Sequence, residues 1–348
     1  MQYSTPKHEY KVLVYCATFN QSKYIEDTLN GFAIQKTSFP FVCLVIDDAS
    51  TDGEQDVLKR WIESHCNPKD IEMYDHPLSM ILKAPDKDNL NCIYVIHLLK
   101  KNLFRKQEKR DIISFWERQC KYEALCEGDD YWIDPLKLQK QVDFMDKNPN
   151  YSLCHSSFYF NGVNTGELFK NSIFKSRNDI ICGIICGNKY RIQPNTVLYR
   201  TVDLMTVLKS DPFLFNSSYF LMGDTQLWVA LLQTGEVCYI EHPTAVYRVL
   251  QGSACRSLDM VQKFRFDLSC SELRLYLIEK YNIKYDNMKQ LLVEYNRNLL
   301  RYRLFDPSFK PLYSPNFLSQ LAFLFLTKTG VYRILRNKLY QKYSNDNS

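Results

Sequence analysis

Three largely apolar runs in the first half of the chain each end in a short polar loop: VLVYC (12–16) in ATFN, FVCLVI (41–46) in DDASTDG, and YEALC (122–126) in EGDDYW. Runs of this length suit strands buried on both faces, as in a parallel sheet. After the first, Ile25, Leu29, Phe32 and Ala33 recur at helical spacing, with Asn20 or Ser22 as the expected N-cap. A second helix is predicted over about 54–65, after DDASTDGE. Strand, helix and strand in alternation predict an α/β fold, and in an open parallel sheet ligands gather beyond the carboxyl ends of the strands. Each of the three loops lies where such a ligand would sit.

The rest of the chain fills in around this core. NLNCIYVIHLLKK reads as helical through Leu90, Ile93, Tyr94 and His97, and six basic residues follow between Lys100 and Arg110, read as a solvated helix end or loop in preference to a phosphate-binding patch. Asp134 before Pro135 predicts a helix start whose apolar face is Leu136, Leu138, Val142 and Met145. Short strand-like runs occupy 151–200 (YSLCHSSFYF, IICGIIC, TVLYR), read as antiparallel strands added to the sheet or packed at its edge. GDTQLWVALLQTGE (223–236) predicts a helix stopped by Gly235, followed by strands VCYI and TAVYRV. Beyond Gly252 the texture becomes helical, which divides the chain into 1–252 and a helical region 253–348.

Composition narrows the class. With 348 residues, 45% apolar and 14% aromatic, there is material for a real core, and a net charge of +5 does not by itself point to nucleic acid. The opening MQYSTPKHEYKVLVYCATFN has neither the pattern of a signal peptide nor the length of a membrane anchor, so a cytoplasmic address is expected. None of the 12 cysteines forms a C-x-x-C pair, and Cys16, Cys43, Cys126 and Cys238 sit inside apolar runs, where a reduced thiol behaves as a small hydrophobe. The six histidines show no H-x-x-x-H spacing, which gives a structural zinc site no support.

The third loop packs Glu127, Asp129 and Asp130 into four positions. Close carboxylates repel, so either one takes up a proton or a cation neutralises the group. A divalent metal is one answer. For an isolated triplet, a solvated acidic turn is the plainer one; likewise Asp47 and Asp48 alone read as turn formers and Thr18 to Asn20 as a helix cap. Jointly, the three loops describe a nucleotide pocket with a metal at its mouth.

In motif order over roughly residues 10 to 250, VLVYCATFNQSKYIEDTLNGFAIQ, LVIDDASTDG, ALCEGDDYWIDPLKLQKQVDF and GDTQLW resemble family two of the inverting, nucleotide-sugar-dependent glycosyltransferases, especially bacterial members that decorate surface polysaccharides. The resemblance implies an A-type glycosyltransferase fold, a Rossmann-like nucleotide-binding sheet, with a helical C-terminal region. By position it implicates Thr18, Phe19, Asn20, Asp47 and Asp48 in holding the nucleoside. Phe19 stands where a tyrosine is usual, keeping a ring to stack on a base and losing its hydroxyl. Glu127, Gly128 and Asp129 match the metal motif D-x-D, with Asp130 adjacent, and oxygen ligands beside a diphosphate suit Mg²⁺ or Mn²⁺. Gly128 is expected to let the backbone turn tightly. Asp224 occupies the family's general-base position, although a plain helix N-cap also explains an Asp there. Many relatives carry a histidine shortly after the segment matching YRV; here Leu250 and Gln251 take that place and Arg248 is the nearest basic candidate, its alternative being a strand residue turned to solvent. The ERQCKYEALC approach to the acidic loop also departs from the glycine-containing segment common in relatives.

The resemblance implies a UDP-sugar donor and a glycan or lipid-linked acceptor. Two rivals stay open: a sugar nucleotidyltransferase, whose glycine-rich basic N-terminal signature is absent from VLVYCATFNQ, and a non-catalytic binding subunit that keeps the fold. Near the C-terminus, Phe317, Leu318, Leu321, Phe323, Leu324, Phe325 and Leu326 precede Lys328, Arg333, Arg336, Lys338 and Lys342. That run is too short to span a bilayer. It suits either a basic interfacial helix at the inner face of a membrane or a helix docked on the catalytic domain or a second subunit.

Overall fold

The computed structural model describes residues 8–162, 166–172, 174, 176–187, 190–250, 259–318, 320–321 and 333–339. The chain divides into two compact units, one built from Met1–Arg177, Cys186–Ser210 and Ala230–Val249, the other from Asn178–Ile185, Asp211–Val229 and Leu250–Ser348.

The first unit carries one mixed sheet. Its strands are β1 (Tyr10–Thr18), β2 (Phe41–Asp47), β3 (Glu72–Asp75), β4 (Ser79–Pro85), β5 (Cys92–Leu99), β6 (Cys120–Leu125), β7 (Tyr131–Trp132), β8 (Tyr151–Phe160), β9 (Leu168–Phe169), β10 (Leu198–Arg200) and β11 (Glu236–Tyr247), in the order β3-β4-β5-β2-β1-β6-β10-β8-β11-β7, with β9 on β8. β5, β2, β1 and β6 run parallel, and β10 is antiparallel to both β6 and β8. This is the A-type glycosyltransferase architecture, a Rossmann-like α/β sheet. Alternation along β1 and β2 sends Val12, Val14, Cys16, Cys43 and Val45 to one face and Leu13, Val42, Leu44 and Ile46 to the other. Helices α1 (Ile25–Ala33), α2 (Glu54–His65) and α4 (Lys137–Lys147) cover the first face through Leu29, Phe32, Leu58, Trp61, Leu138 and Met145. Helix α3 (Gln107–Glu117) covers the second through Ile113 and Trp116. Burial on both faces is why these strands read as unbroken apolar runs. Cys16, Cys43 and Cys126 are buried free thiols, and Cys238 is a partly exposed one.

Several expectations need correction. The segment read as helical from Leu90 contains strand β5, whose residues from Tyr94 to Leu99 are all buried. IICGIIC, read as a strand, lies in helix α5 (Arg177–Cys186), with Ile181, Ile184 and Ile185 inward. VCYI and the TAVY of TAVYRV belong to one long strand, β11, whose register against β8 shifts at Pro243, and Arg248 and Val249 lie just beyond its end. Neither Asn20 nor Ser22 caps α1, whose N-cap position is Tyr24 with no side-chain bond. Asp134 instead accepts the Leu136 N–H at 2.9 Å, and α4 begins at Lys137, two residues later than expected.

Helices α6 (Thr201–Ser210), α7 (Pro212–Asn216) and α8 (Asp224–Thr234) follow β10. In the second unit, α9 (Met260–Lys280) is N-capped by Asp259, and its Leu268, Leu273 and Leu277 are buried, as are Leu291, Tyr295 and Leu299 of α10 (Met288–Arg303). Arg274 and Glu294 bridge these two helices at 3.1 Å. Of the expected C-terminal apolar run, Phe323 to Leu326, with Lys328 and Lys342, lie outside the described residues; Phe317, Leu318 and Leu321 are exposed. Among the described residues no helix is long and apolar enough to cross a membrane.

Candidate functional site

Parallel pairing of β1 with β2 and β6 brings three carboxyl ends side by side, with Thr18 opposite Asp47 and Tyr15 opposite Leu125. The chain leaves β1 for β2 on one side, and β6 lies on the other, so a topological switch point falls between β1 and β6. All three polar loops meet at this edge.

The first two loops are knitted together. Asn20 adopts a left-handed backbone (φ 55°), which Asn tolerates better than most residues. Its N–H donates to Ser50 Oγ at 2.8 Å, and its side-chain oxygen accepts the Thr51 N–H at 2.8 Å. Glu54, fully buried at the start of α2, accepts the Thr18 hydroxyl, the Gln21 N–H at 2.8 Å and the Ser50 hydroxyl at 2.9 Å. Burial raises its carboxyl pKa, opposed by these same bonds. Phe19 is left 47% exposed beside them, its ring open to a planar ligand.

The two aspartates after β2 differ. Asp47 Oδ1 accepts from Gln55 at 2.6 Å and from the Ser50 N–H at 3.1 Å, whereas its Oδ2 is buried with no hydrogen-bond partner. Asp48 is fully engaged: Oδ1 accepts the Leu103 N–H and Oδ2 pairs with Lys109 at 2.9 Å, both side chains largely buried. Part of the basic run is therefore structural, because Lys109 braces Asp48, Arg110 pairs with buried Glu117, and Lys100 reaches Asp75 at 2.5 Å.

The acidic loop is tied to β1 by the Cys126 N–H on the Tyr15 carbonyl and the Gly128 N–H on the Ala17 carbonyl, each 3.1 Å. The Thr28 hydroxyl holds it from α1 through the Gly128 and Asp130 carbonyls. Gly128 is required for a different reason from the one expected. Its φ is not left-handed, but a Cβ there would strike Thr18 Oγ1 and Gln21 Oε1. Glu127 is exposed. Asp129 is partly buried; desolvation raises its pKa, opposed by its own backbone N–H, the charge of Arg248 and the nearby Gln21 side chain, and its Oδ1 is buried without a partner. Asp130 turns away: it is buried, its pKa raised by burial and then by Asp129, and its Oδ1 accepts the Arg248 N–H at 2.8 Å. Among the described residues no group of three or more His, Cys, Asp or Glu side chains is gathered to hold a metal ion. The three carboxylates thus do not converge, because Asp130 is recruited by the end of β11.

Arg248 is not a strand residue turned to solvent. Its guanidinium donates to the Asp129 carbonyl at 2.8 Å, pairs with Asp27, and lies over the rings of Tyr131 (4.5 Å) and Tyr24 (5.1 Å). Asp224 opens α8, where its carboxylate accepts the Thr225 N–H at 2.7 Å. Gln21, Ser50, Glu54 and Lys109 were missed as site residues. Ser50 and Lys109 sit inside stretches read for other reasons, and Glu54, the acid closing DDASTDGE, is indistinguishable in sequence from a routine first-turn glutamate.

No family model matches the chain. It is 31% identical over 234 residues to uncharacterised proteins of Mycobacterium tuberculosis and Mycobacterium bovis; the match covers 66% of this chain, and the chain spans about half the length of these relatives (56%). Among solved structures, residues 1–349 of S. aureus TarS in complex with UDP-GlcNAc superpose with a TM-score of 0.50 at 17% identity, covering 86% of this chain and 76% of that one. A Pyrobaculum calidifontis mannosyltransferase in complex with GDP-Man and Mn²⁺ is similar at a TM-score of 0.43 and 14% identity, covering 98% of this chain and 86% of that one. The likeness to TarS is one of fold.

Proposed function

We propose that the protein is a metal-dependent inverting glycosyltransferase that moves a sugar from a UDP-sugar to a hydroxyl of a glycan or lipid-linked acceptor in surface-polysaccharide synthesis. The observation that carries this reading is a pair of buried, unpartnered carboxylate oxygens, Asp47 Oδ2 and Asp129 Oδ1, on loops that meet at the switch point. Burying such an acceptor without a partner costs about 1–3 kcal/mol, a cost a bound ligand removes. Asp47 Oδ2 is suited to an N–H or O–H of the nucleoside, and Phe19 to stacking on its base. Thr18 and Asn20 line the first loop, while Asp48, braced by Lys109, supports the pocket wall. The TarS neighbour, which shares the fold, holds UDP-GlcNAc, and this favours UDP as the nucleotide.

The residues fit a cation held chiefly by substrate. Mg²⁺ and Mn²⁺ sites of this kind use one or two carboxylates plus the donor's phosphates, and Asp129 offers one free oxygen with exposed Glu127 next to it. When bound, the cation neutralises charge developing on the departing diphosphate. Asp130 and Arg248 act from behind, fixing the loop that presents Asp129. Asp224, placed by motif position, takes the proton from the acceptor hydroxyl. We assign the C-terminal region 253–348 to contact with a membrane surface or a second subunit, at the cytoplasmic face.

Thermal stabilisation by a panel of nucleotide sugars, each with Mn²⁺ and with EDTA, tests the donor assignment. A ligand at a hundredfold excess over its Kd adds about 2.7 kcal/mol to the folded state, enough to raise Tm visibly. UDP-sugars are expected to do so with Mn²⁺ and much less with EDTA. Stabilisation indifferent to metal, or none by any nucleotide sugar, would overturn the reading.

A further inference from the structure

Glu54 has no role in the reading above, yet its buried carboxylate joins two of the three loops. It takes the Thr18 hydroxyl and the Gln21 N–H from the loop after β1, and the Ser50 hydroxyl from the loop after β2. Gly53, in the left-handed region (φ 89°), delivers it to the first turn of α2, where a helix N-terminus favours a carboxylate. Thr18 and Gln21, whose side chains lie 2.8 Å apart, are in turn the groups that a Cβ at Gly128, the residue just before Asp129, would strike. The acidic loop therefore rests on two side chains that Glu54 holds in place.

We propose that Glu54 is a positioning residue for Asp129: by clasping the loop after β1 to the loop after β2 it sets Thr18 and Gln21, and through them the place of the cation-binding carboxylate. This rests on reading Asp129 as the carboxylate that meets the cation. A buried carboxylate is expensive, and an apolar side chain would fill the same space at lower cost if packing were all that was needed. What an apolar residue lacks is the ability to accept bonds from three donors on two different loops.

The test is titration calorimetry of UDP in Mn²⁺ and in EDTA, on the whole chain, with Tm recorded for each variant. Glu54→Gln keeps the size but turns one acceptor into an N–H donor facing donors. It should lose about tenfold or more of the Mn²⁺-dependent gain in UDP affinity, the usual scale for a group that orients a metal ligand, with a clearly smaller loss of affinity in EDTA. Gln21→Ala cuts the same chain of contacts at its more exposed end, keeps the backbone N–H that Glu54 accepts, and should lose the same gain; it decides the matter if Glu54→Gln does not fold. A folded variant of either kind that keeps the gain, or one whose affinity in EDTA falls in step with that in Mn²⁺, overturns the positioning role. Asp129→Asn in parallel separates the two ideas: if it abolishes the gain and Glu54→Gln does not, only the Glu54 assignment fails, whereas if it too keeps the gain, the reading of Asp129 falls as well.

Discussion

The Arg248 backbone N–H donates to Asp130 Oδ1 at 2.8 Å across 118 residues of chain, and this bond separates the fates of two adjacent carboxylates. Asp130 is spent on holding the end of β11, and Asp129 keeps a buried oxygen without a partner.

Asp130→Asn should therefore be mild, because an amide oxygen still accepts from Arg248 and the burial penalty of a charge disappears. Asp130→Ala strands that N–H and should cost about 1–3 kcal/mol in urea denaturation. Loss of Mn²⁺-dependent UDP binding in the Asn variant, as complete as in Asp129→Asn, would instead make Asp130 a ligand.

Asp224 is tested by the pair Asn and Ala. Asn caps a helix about as well as Asp but cannot take a proton, so Asp224→Asn should keep Tm and donor affinity and lose transfer by about a hundredfold or more. Near wild-type turnover in the Asn variant, with about 1 kcal/mol lost in Asp224→Ala, would reduce Asp224 to a cap.

Lys137 provides a pH signature. It is fully buried, donates to Gln141 at 2.8 Å, lies 4.3 Å from the centre of the Trp132 ring, and burial pulls its pKa from 10.5 to about 7. Between those values the unfolded chain binds a proton that the folded chain does not. This contribution to stability must therefore rise with pH from about 7 towards 10, by up to about 1.4 kcal/mol per pH unit. The difference in unfolding free energy between wild type and Lys137→Met should show that slope; a pH-independent difference would mean that the lysine stays charged.

The three loops could be found from the sequence because ligand-binding loops in a parallel sheet follow largely apolar runs, and VLVYC, FVCLVI and YEALC each point to one. β5 was misread because a run buried on both faces carries no period of its own, and Leu90, Ile93, Tyr94 and His97 fall by chance at helical spacing. Its β-branched Ile93, Val95 and Ile96 were the better signal. IICGIIC shows the reverse, a β-branched run made helical by the burial of Ile181, Ile184 and Ile185. The roles of Glu54 and Asp130 were not legible at all. Each is decided by partners 33 to 36 or 118 residues away, and no local pattern records that distance.

Product identity tests the central claim most directly. Incubated with a UDP-sugar and Mn²⁺ without acceptor, the protein should slowly release UDP and no pyrophosphate, and EDTA or Asp129→Asn should cut that release by about a hundredfold, the scale for losing one stabilising contact to a leaving group. Pyrophosphate would identify a nucleotidyltransferase, tight binding with no product a non-catalytic subunit, and UDP release unchanged by EDTA and by Asp129→Asn would contradict the metal-assisted transfer proposed for this site.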